Sequence, residues 1–286
     1  MNLFNIIEEI EKVDPEFQER VSPRRDAIKN ITSFGSKVAV AALPFAFATI
    51  FKRAYGQSTP TSVNDVLNFA LTLEYLESYF YNQGAASSSL AIPGTDKPYI
   101  TTIQTDENEH VTFLQSVLGT AAVTSPSFDL TAGGAFGDVL SNYATFLAVA
   151  NAFEDTGVRA YKGQAVNLIG NQTVLTAALS IHAVEARHAS AVRQLRAAQG
   201  VSITPWISGS ATSSNDTGVA AVNANYGAGA SSSYPAENNV TQGGVDLTTL
   251  ASAYGSTTPY DVACAAFDEP LDMATVLTIV GPFIKS

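Results

Sequence analysis

The sequence predicts an all-α protein: a four-helix bundle with a long crossover between its second and third helices, then an irregular Gly- and Ser-rich C-terminal extension and a short terminal helix. Three observations carry this. Four stretches space their apolar residues in 4-3-4-3 steps, the stripe of a helix with one inward face. Each stripe has a glutamate on its inward seam, and in two of them, Glu107-Asn108-Glu109-His110 and Glu185-Ala186-Arg187-His188, a histidine follows three residues later. The second pair of stretches also repeats the first. Glu74 precedes Glu107 by 33 residues and Glu154 precedes Glu185 by 31, about 80 residues further along, which implies an internal duplication.

The first helix aligns Leu67, Leu71, Glu74, Ser78 and Tyr81, with Asn64-Asp65 suited to cap it, and runs to about Tyr81. A Ser/Pro/Gly-rich loop from Asn82-Gln83-Gly84 to about Pro98 follows. In the second helix Ile103, Glu107, His110, Leu114 and Val117 form the seam, which ends near Gly119. The 19 residues from there to Gly137 can stretch ~60 Å, while a helix of 25 to 30 residues spans ~40 Å, so they can return along the whole bundle. The third helix, about Asp138 to Gln164, carries Tyr143, Leu147, Ala150, Glu154, Gly157 and Tyr161 inward. The fourth, about Asn171 to Gln199, does the same with Val174, Ala178, Ile181, Glu185, His188, Val192 and Leu195; the short loop before it makes the two antiparallel neighbours. Residues 202–245 lack helical periodicity but include Trp206, Tyr226 and Tyr234, which predicts irregular ordered structure that wraps the bundle, pairs with another subunit or forms short strands. A last helix starts near Asp268-Glu269-Pro270 and turns Met273, Val276, Leu277 and Val280 inward.

Residues three apart on a helix share a face, so a carboxylate and an imidazole at that spacing reach one metal ion. Two such helices serve two ions, and a glutamate from each of the other two completes the pair. The candidate ligands are Glu74, Glu107, His110, Glu154, Glu185 and His188. Their four carboxylates balance two divalent cations; without metal they would repel one another and resist desolvation. Oxygen-rich ligation with two imidazoles suits iron or manganese better than copper or structural zinc. Glu77 rivals Glu74 as the first-helix ligand, but Glu74 continues the seam through Leu67 and Leu71. His182 is read as a supporting or packing residue, and Glu109 and Asp155 as pointing away into solvent. Tyr79, Tyr81 and Tyr161 lie near the level of the site and are read as core, with a redox or hydrogen-bonding role open to one of them.

The segment Leu73-Glu74-Tyr75-Leu76-Glu77-Ser78-Tyr79-Phe80-Tyr81 resembles the first-helix motif of ferritins, in which the ligand glutamate is followed by tyrosines five and seven positions later. With both Glu-x-x-His elements and Phe153-Glu154-Asp155-Thr156-Gly157, roughly residues 60–200 resemble the ferritin-like superfamily. Within it they are similar to exported bacterial ferritin-like domain proteins of the desiccation-associated type, as are Ala266-Phe267-Asp268-Glu269-Pro270 and Gly281-Pro282-Phe283. The resemblance implies a cofactor of two iron or manganese ions and redox chemistry with oxygen or peroxide, as in ferroxidases and oxidases. Its alternatives are peroxide disproportionation, as in manganese catalases, and a non-catalytic role in metal sequestration or stress protection. A minimal ferritin subunit has no such C-terminal tail, which argues against a ferritin-type cage; a homo-oligomer stays open.

Hydrophobic residues make up 46% of the chain and charged ones 14%, a globular profile. Net charge is −11, and beyond residue 56 seven basic side chains face nineteen acidic ones, which excludes nucleic acid as a natural partner. Cys264 is the one cysteine, so no internal disulfide forms, and it reads as a small buried apolar residue. Near the start, Ser22-Pro23-Arg24-Arg25-Asp26-Ala27-Ile28-Lys29 precedes an apolar run from Val38 to Phe51 and resembles a twin-arginine export signal, although a proline precedes the arginines and alanine stands where phenylalanine is favoured. That run is about 14 residues, short of the ~20 of a spanning helix. Cleavage after Ala54-Tyr55-Gly56 would release the protein, whereas retention would leave a membrane anchor. The expected division is therefore 1–56 signal region, 57–200 bundle and 201–286 extension, with an exported, periplasmic or cell-envelope location.

Overall fold

The computed structural model describes residues 62–208 and 223–285. The export-signal segment and residues 209–222 of the extension lie outside the described residues.

Four long helices dominate: α1 (Val63–Ala86), α2 (Lys97–Leu118), α3 (Tyr143–Ala165) and α4 (Gln172–Ala198). Their ends follow capping chemistry more than periodicity. Ser62, not Asn64-Asp65, is the N-cap of α1: its hydroxyl accepts from the Asp65 amide while the Asp65 carboxylate accepts from the Ser62 amide. α1 runs past Tyr81 because Gly84 is a contact point rather than a stop, its missing side chain admitting the Phe146 ring. Pro98 is taken into the first turn of α2 instead of ending the loop. α3 begins at Tyr143 rather than Asp138, since Asn142 accepts from the amides of Ala144 and Thr145.

Cross-helix contacts fix the topology. Gln104 bonds Asn82 and Gln115 bonds Tyr75, so α1 and α2 are antiparallel. Phe80 stacks on Phe146 with ring centroids 4.5 Å apart while Tyr161 reaches Glu74, so α1 and α3 are antiparallel too. α2 and α3 are then parallel, and the chain between them must return along the bundle. Residues 119–142 do so, burying Phe128, Leu130, Phe136 and Val139, and the bridge Phe128–Ile284 ties this crossover to the end of the chain. The all-α bundle with a long crossover is the fold observed.

The interior is layered. One apolar cluster holds Phe80, Phe146, Phe153, Ile103, Val192 and Phe283; another holds Leu67, Leu71, Leu114, Leu118, Ala178 and Ile181. Between them each helix contributes polar residues, and that slab contains every candidate ligand. The expected seam fails at one end: Val117 is 46% exposed and Leu118 is buried instead. A helix of 3.6 residues per turn drifts off a 3.5-residue stripe, and the drift has turned the face by one position there.

Beyond α4 the chain folds back over α3. It forms a two-residue hairpin, β1 (Thr241–Gln242) with β2 (Val245–Asp246), then α5 (Leu247–Ala253), α6 (Pro259–Ala265) and α7 (Met273–Val280). α7 starts three residues after Pro270, capped by Asp272, and buries Met273, Val276, Leu277 and Val280. Arg159 of α3, 1% exposed, holds this tail down: it donates to the carbonyls of Asn225, Gly227, Pro235, Glu269 and Pro270 and pairs with Glu237 at 2.9 Å. Gly163 lets the Leu271 backbone cross close by. Cys264 is buried beside the Asn238 carbonyl. Among the described residues, no helix is long and apolar enough to cross a membrane.

Candidate metal centre

Six side chains from four helices converge in the polar slab. Ligand-type atoms of Glu74, Glu107, His110 and Glu185 lie within 4.8 Å of one another, and so do those of Glu107, Glu154, Glu185 and His188. Glu107 and Glu185 belong to both groups, Glu74 and His110 to one, Glu154 and His188 to the other. His110 Nδ1 is 3.1 Å from Glu74 Oε2, 3.3 Å from Glu107 Oε2 and 3.5 Å from Glu185 Oε1. His188 Nδ1 is 2.8 Å from Glu107 Oε1 and 3.3 Å from Glu154 Oε2, while its Nε2 meets Asp106 Oδ2 at 3.0 Å. All four glutamates are fully buried.

The donor set fits a pair of cations. Glu107 Oε1, Glu154 Oε2, both Glu185 oxygens and His188 Nδ1 are buried with no hydrogen-bond partner. The His188 Nδ1 contacts are short, but they lack hydrogen-bond angles. Buried lone pairs left this way are costly, and metal ions between the two groups would use them all. Residues 62–198, the whole span of α1 to α4, match the family described as ferritin-like domain.

Over that span the chain is similar to a ferritin-like domain. No curated protein and no solved structure is matched.

Electrostatics within this ferritin-like domain follow from its crowded carboxylates. Burial, then the charges of Glu185, Glu74 and Glu154, pushes Glu107 well above the ordinary carboxylate range. Glu185 rises likewise, through burial and then Glu77, Glu74 and Glu154. Burial would raise Glu74 too, but the hydrogen bond and charge of His110 outweigh it and hold it low. On His188 burial works against the charged form, yet Glu154 and Asp106 lift the imidazole to about 9. A cation arriving here therefore displaces protons.

The two phenols nearest the centre are hydrogen-bond donors. Tyr81 of α1 donates to Glu154 of α3, and Tyr161 of α3 donates to Glu74 of α1. Each follows the glutamate of its own helix by seven residues, so the duplication produces crossed bonds. Burial and the neighbouring carboxylates keep both phenols protonated.

Other residues fall as follows. Glu77 is buried one turn from Glu74 but belongs to neither four-residue group. His182 packs, with Nδ1 3.0 Å from the Val158 carbonyl, and Glu109 is exposed. Tyr79 lies outside the slab, 39% exposed against Phe128. Asp155 overturns its reading as a solvated residue: it is buried, bonded to Arg193 at 2.5 Å and to Asn151 and Tyr226 at 2.6 Å each. Tyr226 comes from the tail, beyond the matched span. Asp106 was not anticipated; it immediately precedes Glu107 and faces α4 rather than the seam. The seven-residue step shared by Tyr81 and Tyr161 was the readable sign of their role.

Proposed function

We propose that the ferritin-like domain holds two iron or manganese ions and carries out redox chemistry with oxygen or peroxide, in the manner of an oxidase. The observation that carries this is the pair of overlapping donor groups sharing Glu107 and Glu185, with their unsatisfied buried atoms. Glu74 and His110 would hold one ion, Glu154 and His188 the other, and Glu107 and Glu185 would lie between them. Bound, such a pair supplies or accepts electrons at an oxygen species.

The chain's own residues prepare the place. Asp106 accepts from His188 Nε2 and so keeps Nδ1 as the inward-facing donor atom. Tyr81 and Tyr161 fix the orientation of Glu154 and Glu74. Apolar layers above and below exclude water, which strengthens every charge interaction between them. The seam between α2 and α4 is the way in: the Asp106 side chain is 38% exposed there and His110 retains some exposure beside it.

Protein purified from its native host, analysed for metal and then reconstituted with ferrous or manganous ion, tests this. Two ions per chain, with ferrous oxidation or peroxide turnover, is the expected outcome. Peroxide disproportionation by the manganese form alone would point to catalase-like chemistry. Metal without turnover would favour sequestration, and no metal above background would sink the reading.

We also propose export through the twin-arginine segment. Arg24→Lys with Arg25→Lys should then retain the protein in the cytoplasm. Unchanged fractionation would make those arginines incidental.

A further inference from the structure

The two halves differ three residues after the first glutamate of each. Glu77 follows Glu74 by three residues; its counterpart three residues after Glu154 is Gly157. Because α1 and α3 are antiparallel, with Tyr81 level with Glu154 and Tyr161 level with Glu74, positions 77 and 157 meet midway between those two glutamates. A Cβ on Gly157 would lie 2.5 Å from Glu185 Oε2 and 3.4 Å from Glu77 Oε1. The Glu185 oxygen therefore occupies the space that glycine leaves open, and Glu77 Oε1 lies in van der Waals contact with that space. Glu77 is only 3% exposed, and after burial itself its charge is the largest influence on Glu185. The nearby cations of α3 and α4 are engaged elsewhere, Arg159 with the tail and Arg193 with Asp155.

We propose that Glu77 is a seventh protein ligand of the metal pair, entering from the α1–α3 side while the histidines enter from α2 and α4, and that it favours ions of higher charge. This rests on the metal-pair reading above. Four carboxylates already neutralise two divalent ions. A fifth within the same dry slab leaves one negative charge in excess, which a pair containing a trivalent ion neutralises. Its place midway between Glu74 and Glu154 puts it next to the shared carboxylate of Glu185, from where it would add its charge to the pair. Gly157 makes room for the Glu185 oxygen beside it and offers no carboxylate of its own, so the centre has one carboxylate-rich side instead of two equal ones.

Metal-free wild type and Glu77→Gln, with helicity checked by circular dichroism, are titrated with manganous ion and with gallium(III), a trivalent ion without redox chemistry, against a competing chelator. The substitution keeps shape and removes charge. Wild type should bind two ions of either kind; Glu77→Gln should weaken both, and should lose at least about tenfold more affinity for gallium than for manganous ion. A crystal structure of gallium-loaded wild type should show a Glu77 oxygen bonded to metal, a readout that does not depend on the variant folding. Equal losses for both ions, no loss, or a gallium-loaded centre without that bond overturns the role of Glu77 while leaving the metal pair standing. Wild type that binds neither ion overturns the metal pair itself, and Glu77 with it.

Discussion

The phenol of Tyr81 on α1 donates to the carboxylate of Glu154 on α3, across the width of the bundle. Tyr161 returns the same bond to Glu74. Tyr81→Phe should weaken the ion held by Glu154 and His188, and Tyr161→Phe the ion held by Glu74 and His110, each by about tenfold and with little change in packing. Stepwise calorimetric titration with manganous ion separates the two steps. Wild-type affinities in both variants would reduce the phenols to core residues.

His110→Ala and His188→Ala should remain soluble and helical, because the apolar layers on either side of the centre are untouched. Turnover with oxygen or peroxide should be lost in both. Glu107→Ala with Glu185→Ala should remove both ions, since those two residues belong to both donor groups. Binding of one ion by that double variant would show that the groups are independent.

Asp155→Ala leaves Arg193 buried without its carboxylate and should cost about 3–5 kcal/mol. Tyr226→Phe, which removes one of several bonds to Asp155, should cost about 1 kcal/mol. Urea unfolding measures both, and metal stoichiometry should not change in either.

Metal-free protein should lose stability as pH rises. Glu107 and Glu185 hold their protons in the fold well above the ordinary carboxylate range, through burial first and their carboxylate neighbours second. The folded state therefore binds more protons than the unfolded chain, and that stabilisation, complete below a pH of about 4.5, fades as pH climbs through the raised values. His188, at about 9 in the fold against 6.5 unfolded, adds loss of the same sign between those values. Cations replace these protons, so the difference in Tm between metal-loaded and metal-free protein should widen from about pH 5 to about pH 8. A constant difference would mean that the carboxylates carry no such strain.

Much of the bundle was legible because the 4-3-4-3 stripe and the inward glutamates describe the same face of each helix. Helix ends were less so: Asn142 outcompetes Asp138 as the α3 cap, and the contact of Gly84 with Phe146 overrides the usual meaning of Asn-Gln-Gly as a turn. Asp155 was misread for a different reason. Periodicity shows which side of α3 faces the other long helices, but not that Tyr226, some 70 residues later, covers the far side. The tail helices α5 and α6, of seven residues each, are too short to establish a stripe. Asp106 escaped because its task is to orient His188 rather than to join the Glu-x-x-His pattern.

The crossed tyrosines have a historical consequence. Each antiparallel hairpin carries one terminal glutamate, one shared glutamate, one histidine and one phenol that reaches into the other hairpin. Two identical copies of a single hairpin, docked about a two-fold axis, would contain the same donor set. The crossover at residues 119–142 joins the two hairpins in one chain. Within one chain, one half can keep a glutamate, Glu77, where the other has a glycine, Gly157, whereas in a true homodimer every substitution appears twice.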